Sequence, residues 1–106
     1  MATRGQRGFY RPVVTTPYDK VFMAGPPAAD GPRERIEGVM PGMAAVSVLR
    51  LGAESGSMPA EDFRGAVRAA RQQDDGWYSE ALRDLLVRLE RLGRTAEEAG
   101  VAVFWR

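Results

Sequence analysis

The chain has 106 residues, 44% of them hydrophobic, with fourteen arginines against a single lysine and a formal net charge of +1. That length holds one domain around one core, and the near-neutral balance carries no message about nucleic acid or membrane. Histidine and cysteine are both absent, which excludes Ser–His and Cys–His nucleophiles, zinc sites with nitrogen or sulfur ligands, c-type haem and thiol redox chemistry, and leaves Lys20 alone for a Schiff base.

The remaining reactive groups are carboxylates, hydroxyls, three tyrosines and the arginines. Plentiful alanine, glycine and proline, no asparagine and arginine in place of lysine match the codon usage of a GC-rich genome, so only clustering of arginine counts as a signal. The charge is unevenly placed: Arg4, Arg7 and Arg11 precede the first acid, Asp19, so residues 1–18 carry +3 and the remainder carries −2 (twelve cations against fourteen acids). Lack of cysteine rules out a disulfide framework and fits a reducing compartment. The basic start has no apolar run behind it, and the longest uncharged stretch, Gly38–Leu49, is too short to span a bilayer and contains Pro41. A soluble, cytoplasmic protein is expected.

Residues 1–8 are polar and glycine-containing and read as a basic arm, with residues 9–106 as one domain. Phe9 to Thr16 is rich in aromatic and β-branched residues and reads as a strand, with Pro12 at its start or on an edge. A second strand is expected over Asp19–Ala24, joined to the first by a short link in an antiparallel hairpin. Gly25–Pro32 holds three prolines and two glycines and is the clearest loop. Arg35–Val39 suits a short strand, and Pro41–Gly42 is a turn signal. Ala45–Leu51 contains Val46, Val48, Leu49 and Leu51 and reads as a central strand, since a helix there would have to bury two adjacent sides. Gly52–Ser57 is a loop.

From Pro59 the pattern turns helical. Pro59 suits a first helical position, Glu61 and Asp62 suit a first turn, and Phe63, Ala66, Val67 and Ala70 make one apolar stripe. A second helix starts near Asp75 or Ser79 and carries Tyr78, Leu82, Leu85, Leu89 and Leu92 at alternating steps of four and three, widened by Ala81 and Leu86. Gly93 reads as its end. Thr95 and Glu98 form a capping-box signature for one further turn, which Gly100 terminates. Val101–Trp105 is a final strand. The expected fold class is α+β: a small, mostly antiparallel sheet with an N-terminal hairpin, a central strand and a C-terminal strand, and two main helices packed on one face.

Gly52-Ala53-Glu54-Ser55-Gly56-Ser57 lies between an expected strand and a helix, where phosphate loops lie, but no lysine follows its last glycine and Glu54 puts negative charge into it. Asp74 and Asp75 are neighbouring carboxylates beside Trp77 and Tyr78, and helix capping explains them more simply than acid–base chemistry. No interleaved carboxylate loop for a cation occurs. Arg64, Arg68 and Arg71 form one helical stripe that suits phosphate contacts or a solvated face. Phe9, Tyr10, Tyr18 and Phe22 cluster near Arg7 and Arg11, a pattern that serves base stacking, protein docking or a hairpin's own core. Trp105, one residue from the end of the chain, has to pack on the domain itself or on a partner.

These residues point to a non-enzymatic protein-interaction module: a small assembly, adaptor or inhibitor subunit that binds other protein chains through Arg4, Arg7, Phe9, Tyr10, Arg11 and Trp105. The alternative is a nucleic-acid-binding accessory protein using the arginine arm and the Arg64, Arg68 and Arg71 stripe. No cofactor, metal or catalytic residue is expected.

Overall fold

The computed structural model describes residues 19–106, Val39 by its backbone alone. Within them the chain forms β1 (Lys20–Ala24), β2 (Arg33–Ile36), α1 (Val39–Leu49), β3 (Gly56–Met58), α2 (Ala60–Gln72), α3 (Glu80–Ala99) and β4 (Val103–Trp105). The fold is α+β, as its sequence predicts. The sheet is antiparallel throughout, in the order β2-β1-β4-β3.

β1 holds this sheet together. Val21, Phe22, Met23 and Ala24 are all buried, and the strand is hydrogen-bonded to a neighbour on each edge. Lys20 is opposite Ile36 and Met23 opposite Arg33 on one edge, and Phe22 is opposite Trp105 on the other. The Gly/Pro loop therefore closes a hairpin between β1 and β2, with the Ala24 N–H donating to the Pro32 carbonyl at 2.9 Å. Inside that loop Pro27–Ala29 makes a single 3-10 turn. The hairpin expected between residues 9–16 and 19–24 involves residues outside the described ones, and β1 has both of its edges filled by β2 and β4.

The helices build the core on the Phe22 and Ala24 side of β1. α3 lies across β1 and β2, α2 runs along α3, and α1 rests against both helices. Phe63 of α2 reaches the sheet, its ring 5.7 Å from that of Phe22, and Trp105 closes the cluster 6.4 Å from Phe22. Of the leucines expected to anchor α3, Leu85 and Leu89 are buried, along with Leu86, Leu92 and Ala96, whereas Leu82 is only partly buried against the core. Ser79 caps this helix by accepting from the Leu82 N–H at 3.1 Å.

Three expectations change. Residues 45–49 are not a central strand but the second half of α1. Pro41 sits in the first helical turn, where its missing N–H is one of the donors that have no helical partner anyway. The helix does not bury two sides: Ala45 and Leu49 face inward, while Met40 and Met43 stay 74% and 64% exposed. Next, the stretch expected as a loop ends in β3, because Gly56 leaves room for the Trp105 indole; a Cβ there would come within 3.1 Å of the ring. Finally, Gly93 does not stop α3. It is buried mid-helix where α2 crosses, and a Cβ there would lie 2.8 Å from Arg64 Cγ and 3.2 Å from Phe63 Cδ2. The glycine serves close approach of two helices, and Thr95 and Glu98 continue the same helix to Ala99.

Two helical glycines should consequently respond in opposite directions to alanine. Gly93→Ala pushes into Phe63, which is 0% exposed and cannot yield. Overpacking of roughly 1–3 kcal/mol outweighs a helix-propensity gain of at most about 1 kcal/mol. Gly65 in α2 has nothing within 4 Å of a Cβ, so Gly65→Ala should stabilise by about 0.5–1 kcal/mol. Urea melts of the two variants check both signs. A neutral or stabilising Gly93→Ala would refute the close helix crossing.

Candidate functional site

Of the shortlisted residues among those described, Trp105, Arg64 and Arg71 are engaged inside the domain and Arg68 is exposed. Trp105, 4% exposed, packs on the domain itself, and its Nε1–H donates to the Ala53 carbonyl at 3.1 Å. That bond, together with Lys20 Nζ donating to the Glu54 carbonyl at 2.7 Å, ties the glycine-containing loop down. The loop's backbone carbonyls are thus turned to structural use, and it holds no cation of its own. The arginine stripe on α2 splits. Arg64 is paired with Glu97 and Arg71 with Glu90 of the antiparallel α3, which leaves Arg68 on the exposed side. Arg4, Arg7, Phe9, Tyr10 and Arg11 lie outside the described residues.

The neighbouring carboxylates also separate. Asp74 is gripped by Arg83 in a fork, Nε to Oδ2 at 2.5 Å and Nη2 to Oδ1 at 3.3 Å, and it accepts the Gly76 N–H at 3.0 Å. These donors favour the ionised form, the Arg83 hydrogen bond most of all, and lower its pKa from 3.8 to about 2. Asp75 remains exposed. The pair has no shared centre, and Asp74 braces the turn that joins α2 to α3. Nearby, the Tyr78 hydroxyl donates to the Ala70 carbonyl at 2.7 Å, closing the same turn. Among the described residues no group of three or more carboxylates is gathered as a metal site, and no helix is long and apolar enough to cross a membrane.

A different surface stands out. α1 reads Val-Met-Pro-Gly-Met-Ala-Ala-Val-Ser-Val-Leu, with no charged residue in eleven positions. A helix apolar all round belongs in an interior, yet this one has a free outer face with Met40 and Met43 three residues apart upon it. Beside this face lies a groove of about 560 Å³, lined by Ile36, Met40, Pro41, Ala44, Leu82 and Leu85, with Arg35, Glu37 and Arg88 at its rim. The rim is itself anchored. Asp19, whose side chain is 4% exposed, accepts from Arg35 Nη2 at 2.7 Å and from the Gly38 N–H at 3.1 Å, which fixes the end of β2 to the start of α1. Arg88 of α3, which lines the groove, reaches Glu34 of β2 at 3.2 Å.

The groove is thus a constructed feature, walled by three elements and braced by two ion pairs. None of its residues is among those the sequence shortlist names. The sequence signal for it is the uncharged stretch Gly38–Leu49, which marks a surface only in helical form. Among the described residues, Trp77, 85% exposed in the α2–α3 turn, and Val87, 36% exposed on α3, are the other large hydrophobic residues on the surface. No protein-family model, curated protein or solved structure matches the chain.

The Asp74–Arg83 fork carries a pH signature. Its folded pKa is below the ordinary value, so the unfolded chain takes up the proton first as pH falls. The pair's contribution is complete above 3.8 and is lost as pH falls from there through about 2. Asp74→Asn removes this titration, so stability measured by urea melts should fall less steeply over that window than in the parent. Identical slopes would show that the fork does not persist in solution.

Proposed function

We propose that this protein is a non-enzymatic interaction module that docks other protein chains on the outer face of α1 and in the adjoining groove. The observation that carries the reading is an uncharged helix whose methionines are left on the surface: Met40 and Met43, 74% and 64% exposed. Exposed apolar side chains gathered on one face beside a polar rim are the anatomy of a protein interface. Methionine adapts its shape to a partner at small cost, and so suits such a surface. The absence of imidazole and thiol in the sequence, and the engagement of Asp74 by Arg83, support a role without turnover.

Nucleic-acid binding finds less support, since two of the three stripe arginines face glutamates on α3. The two readings differ in their response to salt. Phosphate contacts weaken steeply with added salt, whereas an apolar interface does not.

The test uses the tagged full chain and its Met40→Glu/Met43→Glu double variant, cross-linked in an extract of the source cells. Protein partners should survive about 0.5 M salt, where surface charge attraction is largely screened. They should be lost with the double variant, whose melting temperature should stay within about 2 °C of the parent because both side chains are exposed. Partners retained by the double variant would refute docking at this face. Tight binding of a random-sequence duplex DNA, with a steep log–log salt slope that shrinks when Arg4, Arg7 and Arg68 become alanine, would replace it with the nucleic-acid reading.

A further inference from the structure

We propose that the partner seated on this face is a second copy of the same chain, with the two α1 helices packed antiparallel about a twofold axis. The inference rests on the reading of α1 as a docking surface and adds the identity of the occupant. Its basis is the order of side chains along the exposed stripe. Met40, Met43 and Ser47 follow one another at helical spacing on the outward side, with Ala44 beside them at the groove. An axis passing between positions 43 and 44 sets Met40 opposite the partner's Ser47, and Met43 opposite the partner's Ala44. Each large side chain then meets a small one, the condition for two helix surfaces to interdigitate. A parallel arrangement would instead stack methionine against methionine and align the helix dipoles unfavourably.

The same register makes a second demand, and the flanking residues meet it. It places Glu37, just before α1, opposite the partner's Arg50, just after it. Glu37 has a side chain 75% exposed with only a loose 3.7 Å contact to Arg35. Arg50 takes part in none of the ion pairs among the described residues. Arg50 also holds a left-handed backbone conformation, φ 55, at the position that ends the helix. Glycine is the usual residue in that conformation, so a long cation there carries a conformational cost that its charge can offset across an interface. A twofold contact repeats every pairing, giving two Glu37–Arg50 bridges that flank an uncharged centre. A net charge of +1 sets little repulsion between copies.

Sedimentation velocity on the full chain over a hundredfold range of concentration tests this, with Glu37→Arg, Arg50→Glu and the doubly reversed chain alongside. A concentration-dependent monomer–dimer equilibrium is expected. Each single reversal turns two attractive pairs into two repulsive ones and should weaken the dimer by about tenfold or more. The doubly reversed chain should recover to within about threefold of the parent, the signature of a direct pairing. Arg50→Glu keeps a Cβ at the left-handed position, so far-UV circular dichroism and melting temperature should match the parent and certify the fold. Failure of the double reversal to rescue overturns the register. A chain that stays monomeric throughout overturns the proposal, and peroxide footprinting then identifies what replaces it. Met40 and Met43 protected as well as the core residue Met23 mean that another part of this chain covers the face. Rapid oxidation of both means an open site for a different protein. In that second case, loss of partners from the Met40→Glu/Met43→Glu chain still upholds the docking reading, so the two proposals fail separately.

Discussion

Phe63 is the side chain on which the described fold turns. It projects from α2, lies against Phe22 of the central strand, and sits under the one point where α3 has no side chain to keep α2 away. Removing the space at Gly93 or the ring at Phe63 would separate the helix pair from the sheet at the same place. The ion pairs Arg64–Glu97 and Arg71–Glu90 flank this crossing on its solvent side. Exposed pairs of this kind contribute at most about 1 kcal/mol each, so they set the alignment of two helices that the close packing of Phe63 against Gly93 holds together.

A helix pair built this way leaves α1 in an unusual position. Most of the core comes from α2, α3 and the sheet, and α1 adds Ala45 and Leu49 to it. It offers one narrow inward stripe and needs no more. Its remaining residues would be expected to be polar in a helix evolved only to sit on the surface of this domain. Their apolar character, together with the braced groove beside them, is what gives the docking proposal its physical content. Asp19 has a part in this: one carboxylate ties the end of β2 to the start of α1 and so fixes the groove's mouth from beneath.

Much of this was legible in the residues, and the exceptions share a cause. β1, α2, the start of α3 and β4 each have a period or a boundary residue that pattern alone interprets: Phe63-Ala66-Val67-Ala70, the leucines of α3, Gly100. α1 has no period, because apolar residues occur on every side of it, and Val46 and Val48 favour a strand in isolation. Such a run reads as a buried strand only if all its apolar residues are buried, and Met40 and Met43 are not. Gly93 was ambiguous for a related reason. A glycine in a helical pattern marks either an end or a crossing, and only the position of Phe63, thirty residues earlier, decides between them. Trp105 had two possible hosts, and the choice rested on whether a small residue faced it. Gly56 does.

The two tryptophans have ended in opposite surroundings, one ring sealed between Phe22 and Gly56 and the other 85% exposed in a turn. Their emission therefore separates into two signals. Burial of Trp105 predicts a blue-shifted emission out of reach of a dissolved quencher, which changes when the sheet comes apart. Light from Trp77 is that of an indole in water, and it responds to whatever approaches the α2–α3 turn while the core stays intact. Without any added label, the molecule thus carries one optical reporter of folding and another of encounter, and the two can be read in a single spectrum.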